Sequence, residues 1–242
     1  SPEQLDAERL RHQAAQARRP CRGLGGGLRT DGCELLWHTQ TFVDHRTRAE
    51  PEWAEDIFRG TLVRLSAPRP GDGEILSRWS EDAGYRRRMD TDAPRPLPAQ
   101  HFEEQDASDQ RDGTHFEFRV RTLEDDRLVG FTAVFSIEWP NGSGWMAMGI
   151  GDPQDRGRGY GWDALQLTLR FSFEELQLHR LSLDVIEPNE PAVSLYRRAG
   201  FVVEGRQRER IRRAGAAYDL LYMGLLARDW SRPGPGHETV PG

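Results

Sequence analysis

A chain of 242 residues suits one large domain, or one ordinary domain with extensions, and leaves no room for two equal enzymatic domains. Its apolar fraction of 36 % against 30 % charged residues is polar for a compact domain and places part of the chain outside the core, while a formal charge of −6 argues against a nucleic-acid partner. All 33 basic residues are arginine, which excludes a P-loop, whose lysine sits on the phosphates, and Schiff-base chemistry such as that of pyridoxal phosphate.

No apolar run approaches the roughly 20 residues that cross a bilayer, and the first residues lack the basic-then-apolar design of a secretory leader. A soluble, cytoplasmic protein without a membrane partner is the expectation. Residues 1–19 read as a polar helical segment, followed by Pro20 and the cluster Gly23-Leu24-Gly25-Gly26-Gly27. With the apolar patch of residues 35–43 around Trp37 and Phe42, they make an N-terminal extension over residues 1–59, expected to be partly mobile. Cys21 and Cys33 lie there, too few for a disulfide framework or a four-thiolate zinc site from one chain.

Residues 61–65 form the first convincing strand, and the turn Arg69-Pro70-Gly71-Asp72 offers Asp72 as the cap of a helix through Trp79. Pro94, Pro96 and Pro98 make residues 90–100 a loop, with a short helix after it at residues 101–107. Residues 115–121, 128–139 and 145–150 then read as three strands of an antiparallel meander, the last two joined by the hairpin turn Asn141-Gly142. After Pro153 the period changes: Leu165, Leu169, Phe173 and Leu176 recur at helical spacing before a strand at residues 181–186, which gives a βαβ-like unit. A second helix at residues 191–198, stopped by Gly200, leads to strands at residues 201–203 and 218–226. The tail, residues 231–242 with Pro233-Gly234-Pro235-Gly236, is expected to be disordered.

A strand that runs into Gln154-Asp155-Arg156-Gly157-Arg158-Gly159-Tyr160-Gly161 and then a helix sets several free backbone N–H groups at the positive end of a helix dipole, which makes an anion site. Alternate glycines let the backbone close on a diphosphate without Cβ clashes, and Arg156 and Arg158 add charge from the rim. Taken alone, the same residues also make an ordinary Gly-rich turn before a helix. A dinucleotide fold fits less well, because Gly149-Ile150-Gly151 meets Gln154 at the third glycine position.

The loop Gln154 to Gly159 fits the pattern Q/R-x-x-G-x-G/A, with Asp152-Pro153 before it and Tyr160-Gly161 and Ala164-Leu165 after it. Further on, a strand ending in Leu183-Asp184-Val185-Ile186 meets Asn189 and a helix with Tyr196-Arg197-Arg198-Ala199-Gly200-Phe201, a Y-x-x-x-G-F segment. In these two segments, in this order, the chain resembles the GNAT superfamily of N-acetyltransferases, particularly the RimJ/RimL type of ribosomal-protein N-terminal acetyltransferases, over residues 60–229. The resemblance implies a domain over residues 60–230 with a mixed, mostly antiparallel sheet flanked by helices, and acetyl-CoA as cosubstrate with no metal. It further implies that the backbone of Gly149, Ile150 and Gly151 pairs with the pantetheine arm. Gln154, Arg156, Gly157, Arg158, Gly159, Tyr160 and Gly161 would hold the pyrophosphate, and Asn189 and Tyr196 would face the thioester as the catalytic candidates.

Considered singly, Asn189 is a helix cap before Pro191 and Tyr196 a core tyrosine whose hydroxyl reaches the surface. Trp145, Trp162, Met146 and Met148 read as packing residues, and His179 as a surface or capping histidine. No spacing among the seven histidines makes a metal site, and His237-Glu238 lacks the second histidine of a zincin helix. RimJ/RimL-like relatives often carry a fourth-strand carboxylate that draws a proton from the amine, whereas Met146 stands at the corresponding position here. Glu138 is a substitute base, although a charge there more simply faces solvent, and a chain of waters is another.

The expected reaction is direct attack of an amine on the thioester, with N–H groups near Ile150 stabilising the oxyanion and Tyr196 protonating the departing thiolate. The acceptor is a protein N-terminus or a small cationic amine such as an aminoglycoside-like antibiotic or a polyamine, selected by loops such as residues 90–100. A homodimer is left open. Two rivals stand beside this expectation: a non-catalytic acyl-CoA-binding sensor or interaction module, which Met146 favours, and a nicotinamide-dependent enzyme.

Overall fold

The computed structural model describes residues 56–109 and 113–232, which belong to a compact unit running from Glu50 to Gly242. The helical segment expected in residues 1–19, Cys21, Cys33, the apolar patch of residues 35–43 and the tail from Pro233 lie outside the described residues.

Strands β1 (Val63–Ser66), β2 (Phe116–Thr122), β3 (Leu128–Glu138), β4 (Ser143–Ile150), β5 (Arg180–Ile186), β6 (Val202–Arg213) and β7 (Ala216–Leu226) form one sheet in the order β1-β2-β3-β4-β5-β7-β6. Every neighbouring pair is antiparallel except β4 and β5. Those two run parallel because a helix, α4 (Tyr160–Arg170), crosses between them. The mixed, mostly antiparallel sheet is the one expected.

The period-two alternation of the strands decides which layer each helix joins. Val120 of β2 is fully buried in the main core with Leu165 and Leu169 of α4 and with Val193 and Tyr196 of α5 (Glu190–Arg198). Complete burial of a leucine such as Leu165 is worth about 2 kcal/mol. Its strand neighbours Arg119 and Arg121 point to the opposite face, which α1 (Asp72–Glu81), α2 (Ala83–Met89) and α3 (Ala99–Asp109) cover. There Arg119, 1 % exposed, donates to Asp106 at 2.6 and 2.7 Å and to Glu117, and Arg121 reaches Asp72 at 2.5 Å.

This ion-pair layer corrects the role expected of Asp72. Gly71, with φ 90°, is the N-cap of α1, while the Asp72 carboxylate turns back to accept from the Arg69 N–H at 2.9 Å and from Arg121. Guanidinium groups buried on β2 need a counter-charge more than the helix end needs a side-chain cap. A second correction concerns the helix expected through Leu176. The α-helix stops at Arg170, and Phe171–Glu175 form a π turn in which the Leu176 N–H bonds the Phe171 carbonyl at 3.0 Å. Thr168 and Ser172 return their hydroxyls to the carbonyls four residues back, at 2.8 and 2.7 Å, which loosens the helix there.

Two tethers prepare the site. On α4 the Asp163 carboxylate, 8 % exposed, accepts from the N–H groups of Thr61, Leu62 and Val63 at 3.2, 2.7 and 2.9 Å and from the Thr61 hydroxyl, clamping the start of β1 to the helix. A Cβ on Gly60 would overlap that carboxylate, so only glycine fits. The proline loop between α2 and α3 is fastened at its far end, where the buried Leu97 N–H bonds Ser80 Oγ at 2.8 Å and its carbonyl accepts from Ser77 Oγ at 2.7 Å. Its near end is held by Arg213 of β6, whose Nη2 donates to the carbonyls of Asp90, Thr91 and Asp92 at 3.1, 2.9 and 2.8 Å.

Candidate active site

Strands β4 and β5 pair only at Ser143–Arg180, Gly144–Leu181 and Trp145–Ser182, and beyond Trp145 they part. On its other edge β4 stays paired with β3 as far as Ile150. Because the Gly151 N–H donates to the Val129 carbonyl at 3.0 Å, alternation turns the backbone groups of Met148 and Ile150 toward the opening. A cleft of about 960 Å³ begins there and runs along the loop before α4 to the face of α5.

Of the residues expected to hold a ligand, Gly149, Ile150, Arg156, Gly157, Arg158, Gly159, Gly161, Asn189 and Tyr196 line this cleft. Gln154, Gly151 and Tyr160 do not. Gln154 is exposed, with its N–H bonded to the Asp152 carboxylate at 2.8 Å. Gly151 backs onto Trp79, whose indole a Cβ would overlap. Tyr160 is buried in the core beneath Arg158, whose guanidinium lies 5.4 Å from its ring centre. Two of the loop glycines are conformationally required: Gly157 and Gly159 hold φ of 72° and 85°, a region that side chains disfavour.

The loop is a cationic cradle. Gly159 is the N-cap of α4, so the first amides of that helix lack intrahelical acceptors, and the N–H groups of Gly157 and Arg158 bond no backbone carbonyl among the described residues. Arg88, Arg156, Arg158 and Arg198 bring four guanidinium groups to the wall. Arg156 is anchored by bonds to the Ile150 and Gly151 carbonyls at 3.3 and 2.7 Å. Burial lowers its pKa and the like charge of Arg88 lowers it further, while Asp82 opposes the fall. The acid within the loop, Asp155, is neutralised from behind by Arg127 through bonds of 2.7 and 2.9 Å. Arg198 stacks with its guanidinium carbon 4.0 Å from the centre of Trp162, farther along the wall.

Asn189 precedes α5 and makes no side-chain cap bond, while its carbonyl accepts from Ala192 and Val193 at 3.0 Å each. Its amide is thus left to the cleft. Tyr196 is 7 % exposed, its ring edge-on to Phe201 at 5.7 Å. Burial raises the pKa of its hydroxyl well above the ordinary phenol value, and the charge of Asp184 raises it further. The phenol therefore keeps its proton throughout the neutral range.

Met146 is 3 % exposed in the core, a packing residue as expected. Glu138 sits at the opposite end of the strands, bonded to the Asn141 amide at 2.7 Å, and is not part of the cleft lining. Arg88, Arg198 and the Arg127–Asp155 brace were not singled out from sequence. The run Arg86-Arg87-Arg88 at the end of α2 carried a signal of concentrated charge, whereas Arg198 and Trp162 meet only because α4 and α5 share a face.

A sheet parted at this point, meeting an amide-rich loop at a helix start, defines an acetyltransferase of the GNAT type, and the family model of the Acetyltransferase (GNAT) domain matches residues 63–202. The chain belongs to that family, whose members are acetyl-CoA-dependent acetyltransferases. It is 28 % identical to the N-acetyltransferase YokL of Bacillus subtilis strain 168, over 73 % of this chain and 97 % of that protein. It is 31 % identical to spermidine N(1)-acetyltransferase of Vibrio cholerae, over 41 % of this chain and 57 % of that one. With the ribosomal N-acetyltransferase YdaF of Bacillus subtilis, described as putative, it shares 29 % identity over 45 % of this chain and 58 % of that one. The last two matches thus span little more than half of either relative. In fold, the chain is similar to the crystal structure of spermidine N-acetyltransferase from Vibrio cholerae in complex with CoA and spermine, with a TM-score of 0.63 and 24 % identity, over 69 % of this chain and 96 % of that one.

Proposed function

We propose that the protein transfers an acetyl group from acetyl-CoA to a primary amine within the opening between β4 and β5. The observation that carries this reading is the continuity of the cleft. Amides and arginines suited to a diphosphate stand at one end, and Met148 and Ile150 on the part of β4 unpaired with β5, with Asn189 and Tyr196, stand at the other. The pantetheine arm lies along β4 and the diphosphate on the amides of Gly157, Arg158 and Gly159. The amine attacks the carbonyl carbon, N–H groups near Ile150 hold the developing oxyanion, and Tyr196 hydrogen-bonds the departing sulfur.

Two acceptor classes are supported. The spermidine-acetylating relative favours a small polyamine, and the relative described as a ribosomal N-acetyltransferase favours a protein N-terminus, as in the RimJ/RimL type. The test is acetyl-CoA with a panel of spermidine, an aminoglycoside and peptides with free N-termini, read by thiol release and product mass. Because the chain contains no lysine, its own side chains offer no amine to confuse the mass reading. Thiol release with one acceptor is the expected outcome. CoA binding without release across the panel would instead favour an acyl-CoA sensor, the reading to which the buried Met146 lends weight.

The seat of the diphosphate has its own test. A Cβ on Gly157 would meet nothing within 4 Å, so Gly157→Asp adds backbone strain and a negative charge without a clash. The variant is expected to fold and to bind CoA at least about tenfold more weakly, equivalent to about 1.4 kcal/mol, by calorimetric titration. Unchanged affinity in the folded variant would remove the loop from the binding site.

A further inference from the structure

The opening between β4 and β5 divides the sheet into two halves, and one arginine reaches across from the second half to the first. Helix α2 packs with the first half, where Met89 lies so close over Gly149 of β4 that an added Cβ would come within 2.9 Å of its sulfur. Strand β6 belongs to the second half. From its last position Arg213 donates through Nη2 to the carbonyls of Asp90, Thr91 and Asp92, the three residues that follow α2, at 3.1, 2.9 and 2.8 Å.

Both ends of this link are shaped for it. The Asp90 carboxylate accepts from Arg86 Nη2 at 3.1 Å and from the Asp92 N–H at 3.0 Å, which curls the chain so that three successive carbonyls converge on one donor. A guanidinium is favoured there, at the negative end of a helix. On the other side, Ala214 and Gly215 alone join β6 to β7, with φ of 48° and 82° and with Arg213 paired to Ala216. Positive φ at both positions makes a tight hairpin turn that alanine disfavours, so the base of the hairpin is set by its surroundings. Arg213 Nη1 bonds the Arg212 carbonyl at 3.0 Å, which fixes the second nitrogen of the fork.

The link bears on the cleft because Arg88 and Met89, immediately before the three carbonyls, line it. Gly149 and Gly151 of β4 turn toward Met89 and Trp79, in the layer of α1 and α2, whereas Tyr196 packs in the main core with α4 on the other face. With the cosubstrate seated against α4 and α5, the amine reaches the thioester from the face of α2. We propose that Arg213 is a positioning residue for the acceptor amine: by tying the end of α2 to β6 across the opening, it holds Arg88 and Met89 as one wall of the acceptor's approach. This role rests on the acetyl-transfer reading above. It concerns acceptor binding and leaves the seat of the diphosphate to the loop before α4.

The experiment compares wild-type protein, Arg213→Ala and Arg213→Lys, each full length, for melting temperature, for CoA affinity, and for kcat and acceptor KM at saturating acetyl-CoA with spermidine and with a free-N-terminus peptide. Arg213→Ala should fold, keep its CoA affinity within about twofold and raise the acceptor KM about tenfold or more with a smaller change in kcat, because what is lost is binding common to ground and transition states. Arg213→Lys keeps a cationic donor without the planar fork and should recover part of the KM. An acceptor KM within about twofold of wild type in folded Arg213→Ala overturns the assignment while leaving acetyl transfer intact. A fall in CoA affinity that matches the loss for the acceptor, or failure of both variants to fold, overturns it as well, because Arg213 then only supports the fold. A wild-type protein that binds CoA and releases no thiol with either amine overturns the reaction itself, and the role of Arg213 with it.

Discussion

Asp163→Ala is expected to lower the stability of the domain by about 3–5 kcal/mol, because it strands the buried N–H of Val63 and the half-buried N–H of Leu62 at a cost of about 1–3 kcal/mol each and removes two further bonds from Thr61. No other side chain bonds these amides among the described residues, and water reaches only the exposed Thr61 freely. The carboxylate also sits in the first turn of α4, where the helix dipole favours negative charge, so alanine forfeits that attraction as well. Asp163→Asn should be nearly as damaging, since its NH2 group would face donors. Urea unfolding followed by tryptophan fluorescence measures the loss. A change below about 1 kcal/mol would mean that β1 is held to the helix by apolar packing alone.

Tyr196→Phe should fold, keep its CoA affinity and lose roughly 10²-fold or more in turnover, the usual scale of acid–base assistance. The ring packs on Phe201 and would stay in place, and no described residue hydrogen-bonds the hydroxyl, so its deletion breaks no structural bond among them. A structural tyrosine would behave in the opposite way, losing about 1 kcal/mol of stability with turnover preserved. The direction of its pKa refines the role. Burial and the charge of Asp184 raise the phenol, so it is fully protonated below its elevated pKa and deprotonates only on the far alkaline side. Any alkaline limb in the wild-type profile that begins below about pH 10 should therefore survive in Tyr196→Phe, because an unperturbed phenol already titrates only there. A phenol of raised pKa is also a weaker acid than the thiol, so its contribution is a hydrogen bond that strengthens as charge builds on sulfur. Near-normal turnover in the folded variant would rule it out.

Much of the architecture was legible because it rests on periodicity. The meander of β2, β3 and β4, the crossover through α4 and the short α5 follow alternating or helical apolar spacing, and the observed elements begin and end within a few residues of those expected. The strand expected at residues 201–203 instead runs as β6 from Val202 to Arg213. Its later half, with Arg206, Arg208, Arg210 and Arg212, has no apolar face to announce a strand. It is an exposed edge paired on one side with β7, bulged between Gln207 and Ile211, and Ile211 alone is buried in its stretch. The π turn at Phe171–Glu175 was hidden for a related reason, since Phe173 keeps its place in the core although the hydrogen-bond ladder has changed.

The site was legible where the backbone conformation itself demands a residue type. Gly157 and Gly159 are readable because φ in the left-handed region selects glycine. Arg156 and Arg158 followed from their places between them. Asp163 and Asp155 were not readable as partners, because Asp163 meets β1 about a hundred residues away and Asp155 meets Arg127 across 28. A lone acid on a helix or strand looks the same in sequence whether it faces water, a backbone or a substrate.

The parting of β4 from β5 leaves seven strands sewn together at midsheet by three residue pairs, with the rest of that seam unstitched. An extended ligand arm laid along β4 would act as a strand supplied from outside, offering hydrogen-bonding groups where β5 supplies none. Part of its binding free energy would then go into stiffening the join between the half-sheets β1 to β4 and β5 to β7. By linkage, saturation at a hundred times the dissociation constant adds about 2.7 kcal/mol to stability. The cosubstrate is on this view a transient structural component, and each turnover removes and replaces it.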